Sequence, residues 1–521
     1  MMTRMFLPTF LILSFVSLTR ADNTQTNIVF IVADDLGWND VSWTNPDIIS
    51  PNLERMARAG IILNQSYVMP VCSPSRSCFM SGRFPYHTGM QYGVINSKQP
   101  YGLPLNLTTL PSLLKDAGYA THIVGKWHQG FCSWAYTPTY RGFDSFYGYY
   151  NAAEDYYQHS IPLEPLPHTT VGTDFRDDKL PVKNENGSYS TYLYTERVER
   201  IIRQHNTSQP LFLYLPYQSV HEPLEVPKKY EEMYANIKDD NRRIFSGMVT
   251  SMDDSVGYVM AALEDRGMMD STLVIFTSDN GGQYRRGGNN FPLRGNKGTL
   301  WEGGTRIPAF VYGNLLKKSR FTYTGMMHAV DWYPTIVEVA KAKLPDYDID
   351  GTSLWQALNA NQSSPRNSFV YNLNVKGRDK AQAGIRVGDW KLLVGDPGPA
   401  ANDNGWYPPP AVTEHKPFDP EGEAYEENEI RIMTDMMDEH MKVSSVRRES
   451  RPKKIPKYQL YNIRDDPTEH HDLSQQFTVV LAQMIAFYEK LAETETEAMD
   501  PPEVEGSDPK YWGGMWSPGW C

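Results

Sequence analysis

The stretch "NIVFIVA", residues 27–33, followed at once by Asp34-Asp35, decides how this chain folds. It is rich in Val and Ile and shows no polar alternation. That is the pattern of a strand buried on both faces, as strands are in a parallel sheet. "THIVG" (121–125), "LFLYL" (211–215) and "TLVIFT" (272–277) read the same way. Helical patterns lie between them. Ser50-Pro51 opens a helix that Gly60 closes, with proline near the start and glycine past the end. From Ile244 to Leu263 a stripe of Met248, Met252, Val256, Val259 and Met260 reads as core packing. The alternation predicts an α/β fold, a mostly parallel central sheet flanked by helices.

In such sheets ligands bind beyond the carboxyl ends of the strands. The first run ends in Asp34-Asp35, the second in Lys126-Trp127-His128, and the fourth in Asp279-Asn280-Gly281-Gly282, while the third leads to His221-Glu222-Pro223. Asp34, Asp35, Asp279 and Asn280 offer hard oxygens alone, which suits Ca²⁺ or Mg²⁺ rather than zinc or copper. Two aspartate-rich turns are the plain alternative, since Asp is common at such ends. Arg76, Lys126, His128, His221 and Lys297 supply the opposite charge. Any one of them is more often a solvated or core residue than a functional one. Together, beside the acids, they describe a cation site that holds an anion.

"PVCSPSRSCFMSGR" (70–83) adds a cysteine. Ser73 reads as an N-cap, Pro74 as the first helical residue, and Ser75 to Ser81 as a short helix stopped by Gly82. Cys72 then sits at a helix N-terminus, where anions bind, with Arg76 about a turn in. A buried free cysteine is the bland reading.

With 521 residues the chain is too long for one ordinary core. Residues 22–358 are expected to form the large domain and residues 359–521 a smaller α+β domain with an antiparallel sheet. In the latter, "AGIRVGDWKLLV" (383–394) reads as a hairpin turning at Gly388-Asp389, "YQLYNI" (458–463) as a strand, and Phe477 to Leu491 as an amphipathic helix. Residues 414–454 are charged and poor in pattern, a surface insertion. Arg4, the apolar Met5 to Leu18 and Thr19-Arg20-Ala21 read as a signal peptide over residues 1–21, leading into the secretory pathway. That run is short for a membrane span, and no later segment is long enough. Asn64, Asn106, Asn186, Asn206 and Asn361 begin glycosylation sequons, Asn64 within an apolar run. The formal charge of −12 becomes −14 without Arg4 and Arg20, which speaks against nucleic acid as a partner. Four cysteines are too few for a disulfide framework.

C-x-P-S-R and S-G-R within residues 72–83, with "ADD" (33–35), "GKWH" (125–128), "VHEP" (220–223), "SDNGG" (278–282) and "LRGNKGTLWEGG" (293–304), resemble the sulfatases of the alkaline phosphatase superfamily over most of the chain. "RGFDSFYGYYNAAEDYY" (141–157), "LPYQSVHEPLEVP" (215–227), "NNFPLRGNKGTLWEGG" (289–304), "IRVGDWKLL" (385–393) and "WYPPP" (406–410) are similar to the arylsulfatase B group, the N-acetylgalactosamine-4-sulfatases. The resemblance implies an alkaline-phosphatase-like fold. It implies that a formylglycine-generating enzyme reads Cys72, Pro74 and Arg76 and oxidises Cys72 to formylglycine (3-oxoalanine). It implies one Ca²⁺ held by Asp34, Asp35, Asp279, Asn280 and the modified residue 72. Arg76 and Lys126 would steady the hydrated aldehyde, His128 would take a proton from it, and Lys297 and His221 would grip the sulfate. One hydroxyl of the hydrate then attacks sulfur and expels the alcohol; the other loses its proton, the aldehyde reforms, and sulfate leaves.

The implied substrate is a sulfated sugar, foremost terminal N-acetylgalactosamine 4-sulfate of glycosaminoglycans, met in the lysosome or outside the cell. Mildly acidic pH is expected to help by protonating histidines, His221 among them. Ser81 stands where the family has threonine, and Gln129 where leucine is commoner. With Cys72 consumed and Cys78 inside the short helix, at most one disulfide is expected, Cys132 with Cys521. Two other readings compete. One is a phosphodiesterase or phosphonate monoester hydrolase of the same superfamily, which would favour a threonine or serine nucleophile. The other is a catalytically inactive secreted glycan-binding protein, which should have lost a motif residue; every position is filled here.

Overall fold

The structure, a computed structural model, describes residues 26–161, 171–375, 382–398, 405–409 and 457–521. The segment read as a signal peptide and the charged insertion at 414–454 lie outside the described residues.

The strands are β1 (Asn27–Ala33), β2 (Ile61–Leu63), β3 (Ser66–Tyr67), β4 (Ala120–Lys126), β5 (Ser145–Tyr149), β6 (Arg176–Asp177), β7 (Leu180–Pro181) and β8 (Leu211–Pro216). They continue with β9 (Thr272–Ser278), β10 (Phe310–Tyr312), β11 (Phe321–Tyr323), β12 (Met327–His328), β13 (Ser368–Asn374), β14 (Gln382–Val387), β15 (Trp390–Gly395) and β16 (Tyr458–Asn462). Ten of them form one sheet in the order β11-β2-β10-β9-β1-β8-β4-β5-β6-β7. Its five central strands, β9-β1-β8-β4-β5, are mutually parallel. The four runs expected to be parallel strands are β1, β4, β8 and β9.

Burial explains why those runs lack alternation. Ile28, Phe30 and Val32 of β1 face a core shared with the helices Cys72–Ser81, Leu110–Asp116 and Trp332–Val339. Val29, Ile31 and Ala33 face the other core, built with the helices Pro51–Ala59, Ser190–Gln204 and Asp240–Asp265. Both faces of the strand need apolar side chains. The methionine-bearing stripe of the long helix is buried as expected.

A second sheet, β13-β14-β15-β16, is antiparallel throughout. Its β14–β15 hairpin turns at Gly388, whose φ of +53° suits glycine, and Asp389. The helix Thr478–Glu493 packs against β15. Cys132 and Cys521 are bridged, with Cα atoms 5.4 Å apart, while Cys72 and Cys78 are buried thiols. Asn106, Asn186, Asn206 and Asn361 are exposed, and Asn64 is half-buried between β2 and β3.

One local expectation is corrected. Ser73 does not cap the helix at Cys72–Ser81: Val71 occupies that position, and Cys72 is the first helical residue. The Ser73 hydroxyl instead accepts from the Ile95 backbone N–H at 3.1 Å. Pro74 is tolerated inside the first turn because N–H groups there have no intrahelical acceptor to lose. Gly82, at φ +66°, closes the helix as expected.

Candidate active site

The carboxyl edge of the central strands carries the polar groups. Asp34 and Asp35 leave β1, Asp279 and Asn280 leave β9, Lys126 ends β4, and His128 and His221 follow β4 and β8. Two motif glycines let these elements approach. A Cβ on Gly125 would lie 2.0 Å from the Pro216 carbonyl oxygen, and one on Gly281 would lie 1.9 Å from that of Gly303. The Cys72–Ser81 helix and the loop bearing Lys297 complete the edge from outside the sheet.

The side chains form one connected net. Lys126 Nζ donates to Asp34 Oδ2 at 2.6 Å, and Cys72 Sγ lies 3.7 Å from Asp34 Oδ1. Arg76 Nε donates to Asp279 Oδ2 at 2.9 Å, and its guanidinium reaches Asp34 Oδ2 at 3.6 Å. Lys297 Nζ and Asn280 Nδ2 each donate to Asp35 at 2.8 Å, while His221 Nε2 lies 3.8 Å from Asp35 Oδ2. His128 stands beside this net; its Nε2–H donates to the Ile95 carbonyl at 3.1 Å, leaving Nδ1 buried without a partner. All ten residues singled out in the sequence therefore converge at one edge. Asp35 and His128 hold φ of 60° and 51°, strained backbone of the kind that clusters at functional sites.

Burial and charge set the protonation states. Burial, reinforced by Asp279, raises Asp34 to about 7 against the pull of Lys126 and Arg76. Burial would raise Asp35 as well, but Lys297 and His221 hold it well below the usual carboxylate range. Burial pushes the Cys72 thiol up to about 12, so the unmodified thiol is a poor nucleophile. Burial and Lys126 hold His128 well below its ordinary value. Burial and Lys297 push His221 down to about 3, so mild acid leaves it neutral, contrary to the expectation from sequence.

The residues present fit a hard divalent cation. Asp34, Asp35 and Asp279 are buried beside Asn280, whose Oδ1 is buried without a hydrogen-bond partner. An orphan acceptor among carboxylates asks for a cation, and an all-oxygen set suits Ca²⁺. His221 was not among the expected ligands, yet ligand atoms of Asp34, Asp35, Cys72 and His221 all lie within 4.8 Å of one another. No spacing in the sequence places His221 beside Asp35.

Access is narrow. Arg76, Lys126 and Asp34 have fully buried side chains, whereas Lys297 is 16% and His221 9% exposed. Beside that mouth lies the turn Tyr284–Arg286, with Arg286 Nε donating to Glu222 Oε2 at 2.7 Å and Tyr284 stacked on Tyr407 at 4.2 Å. Sequence reasoning missed these rim residues. Gln129, noted in the sequence as a departure from leucine, is buried and donates to the Ser73 and His128 carbonyls at 2.9 and 2.7 Å.

A mixed, largely parallel sheet whose carboxyl edge gathers acids, cations and a helix-terminal cysteine defines a hydrolase of the alkaline-phosphatase-like superfamily. Within it, the family profile described as Sulfatase matches residues 26–342, and the chain belongs to that family. It is 36% identical to arylsulfatase J of Mus musculus over 515 residues, covering 96% of this chain and 81% of the relative. It is 32% identical to N-acetylgalactosamine-6-sulfatase of Mus musculus over 389 residues, covering 70% of this chain and 72% of that one. Arylsulfatase A of Homo sapiens is 30% identical over 400 residues, 72% of this chain and 76% of the relative. The crystal structure of Ps i-CgsB in complex with k-i-k-neocarrahexaose superposes with a TM-score of 0.73 at 27% identity, covering 94% of this chain and 97% of that one. The protein is a sulfuric ester hydrolase.

Proposed function

We propose that this sulfatase removes sulfate from the terminal sugar of a sulfated glycan, with N-acetylgalactosamine 4-sulfate the first candidate. The observation that carries this reading is the position of Cys72, buried as the first residue of its helix, behind a mouth formed by Lys297 and His221. An entering sulfate ester meets Lys297 first, and its charge is then faced by Lys126 and Arg76. Those cations are already fixed by Asp35, Asp34 and Asp279, so little reorganisation is left for the reaction.

The two neutral histidines present acceptors. His128 carries a lone pair on Nδ1 and can accept the proton of the attacking hydroxyl. The His221 Nδ1–H donates to the Glu222 carbonyl at 2.7 Å, which leaves the Nε2 lone pair facing the site as an acceptor beside the entering ester. Formylglycine at residue 72 would supply a hydrated carbonyl as nucleophile, and Asp34, Asp35, Asp279 and Asn280 would hold a Ca²⁺ whose charge would offset that of the sulfuryl group. The chain reaches this state by the secretory route, after processing by a formylglycine-generating enzyme, and works in the lysosome or outside the cell.

The terminal preference follows from charge and shape. A protein of net charge −12 repels long polyanions, and the cations here converge within one pocket rather than along a groove. The 4-sulfate rests on the motif-level likeness to the arylsulfatase B group, and the galactosamine ring is in keeping with the name of the 6-sulfatase relatives. The test is sulfate release from a short oligosaccharide esterified only at its non-reducing end, against one esterified only internally. Terminal release should dominate. Equal rates on both would overturn the pocket reading.

A further inference from the structure

We infer that the chain whose Cys72 remains a thiol binds Zn²⁺ on Cys72, His221, Asp34 and Asp35, and that oxidation of Cys72 is what turns the site over to calcium. This zinc site differs from the calcium site in state, in ion and in ligands. It uses the thiol and the histidine, and it leaves out Asp279 and Asn280.

Two pairs among the four donors already stand at zinc spacing, and all four ligand atoms lie within 4.8 Å of one another. Bonds of about 2.0–2.3 Å to a tetrahedral zinc place neighbouring ligand atoms roughly 3.3–3.8 Å apart. Cys72 Sγ is 3.7 Å from Asp34 Oδ1, and His221 Nε2 is 3.8 Å from Asp35 Oδ2. His221 is oriented as a ligand. Its Nδ1–H is committed to the Glu222 carbonyl, so the Nε2 lone pair faces the Asp35 carboxylate. Lys297 Nζ donates to that same Asp35 oxygen at 2.8 Å, so the contact already lies beside a cation, and a histidine whose far N–H is held by a carbonyl is the usual arrangement around zinc. Lys126 and Lys297 need not leave, because each carboxylate has lone pairs beyond those they use. Among the described residues this is the one group of three or more His, Cys, Asp and Glu side chains with converging ligand atoms.

Charge and softness select the ion. Binding exchanges the thiol proton for the metal: Cys–SH and Zn²⁺ give Cys–S⁻–Zn²⁺ and H⁺. The carboxylates of Asp34, Asp35 and Asp279 are matched by Arg76, Lys126 and Lys297. The thiolate therefore leaves the zinc form with one net positive charge, whereas calcium beside an intact thiol leaves two. Sulfur and imidazole favour zinc, and an all-oxygen set favours calcium. A chain that folds before oxidation would thus hold its buried Cys72 as an inert zinc thiolate. The calcium half of the inference rests on the proposed conversion of Cys72; the zinc half does not.

The test uses the full mature chain with Cys72 unconverted, verified by peptide mass, and measures binding rather than turnover. One Zn²⁺ per chain is expected. Co²⁺ in its place should give thiolate-to-metal charge-transfer absorption. Cys72→Ser should abolish that band and weaken Zn²⁺ binding by about two orders of magnitude or more. His221→Gln should weaken zinc and keep the band, which covers the case of a misfolded serine variant. Absence of the band, unchanged zinc affinity in either variant, or displacement of zinc by equimolar Ca²⁺ would overturn the inference. An enzyme that turns over sulfate esters with an unconverted thiol would instead defeat the proposed function and leave the zinc result standing.

Discussion

Two clusters of charge are buried in this protein, and they are finished differently. At the strand ends, Asp34, Asp35 and Asp279 face Arg76, Lys126 and Lys297. Under the second sheet, Glu302 and Glu469 share Lys391, at 3.1 and 2.7 Å, and all three side chains are fully buried. In that clamp every carboxylate meets a donor or a cation: Glu469 Oε1 has no aligned hydrogen bond but lies 2.7 Å from the Lys391 ammonium. The Tyr67 and Tyr371 hydroxyls donate to Glu302 at 2.8 and 2.7 Å, and the Glu302 backbone N–H donates to Glu469 at 2.7 Å. The strand-end cluster leaves Asn280 Oδ1 and His128 Nδ1 without partners and opens at Lys297 and His221. Buried charge that is saturated holds elements together. Buried charge left short of partners is available for chemistry.

The two are linked through backbone. Helix Glu302–Thr305 starts at the clamp, and its Gly304 carbonyl accepts the N–H of Gly281, next to Asn280. The clamp therefore supports the wall of the site without touching its reacting groups, and the predictions separate the two roles.

The largest effect is expected at residue 72. Cys72→Ala should lower aryl sulfate turnover by about four orders of magnitude or more while the thermal transition stays cooperative. Cys72→Ser should show no sustained multiple turnover, because a serine lacks the second hydroxyl. Exhaustive chelation of the converted enzyme should come next, removing most activity, with Ca²⁺ restoring it better than Zn²⁺; full activity in calcium-free enzyme would break that half of the comparison.

Lysine removal then sets the clusters side by side. Lys391→Met leaves Glu302 and Glu469 facing each other and should cost about 3–5 kcal/mol in denaturant unfolding. Lys297→Met, at the solvated mouth, should cost less stability but lower kcat/KM by about 10²–10³. Equal stability losses would erase the distinction. Tyr371→Phe removes one bond to the Glu302 carboxylate and should cost about 2 kcal/mol.

The smallest effect is in pH. Burial, with Glu302 beside it, raises Glu469 to about 7 despite Lys391. A carboxyl raised in the folded state takes up a proton on folding, so its contribution to stability is present at low pH and lost as pH rises toward 7. Burial opposes but Lys391 and Arg386 lower Glu302, whose contribution runs the other way and is lost in stronger acid. Glu469→Gln should therefore gain in Tm relative to the wild type between pH 4.5 and 7. A constant Tm difference across that window would show that Glu469 does not titrate there.

The site was more legible in the sequence than the clamp. β1, β4, β8 and β9 are apolar on both faces, so their runs and the polar residues at their ends stand out. Lys391 lies in "WKLLV", where a lysine looks like a solvent-facing strand residue; it is fully buried because Glu302, 89 residues away, comes to it. Pairings at such separation leave no local pattern. Ser73 misled for the opposite reason: it has the right chemistry for a cap, but its hydroxyl is already taken by Ile95. His221 was recognised, but its approach to Asp35 depends on how the loop after β8 returns over the sheet edge.

The proposed activity depends on one chemical change at residue 72, and peptide mass reads it directly. After deglycosylation for the sequon at Asn64, the tryptic peptide Ala59–Arg76 from active enzyme should carry the mass of the cysteine form with H₂S replaced by O. Finding only the cysteine mass in a preparation that turns over sulfate esters would contradict the account.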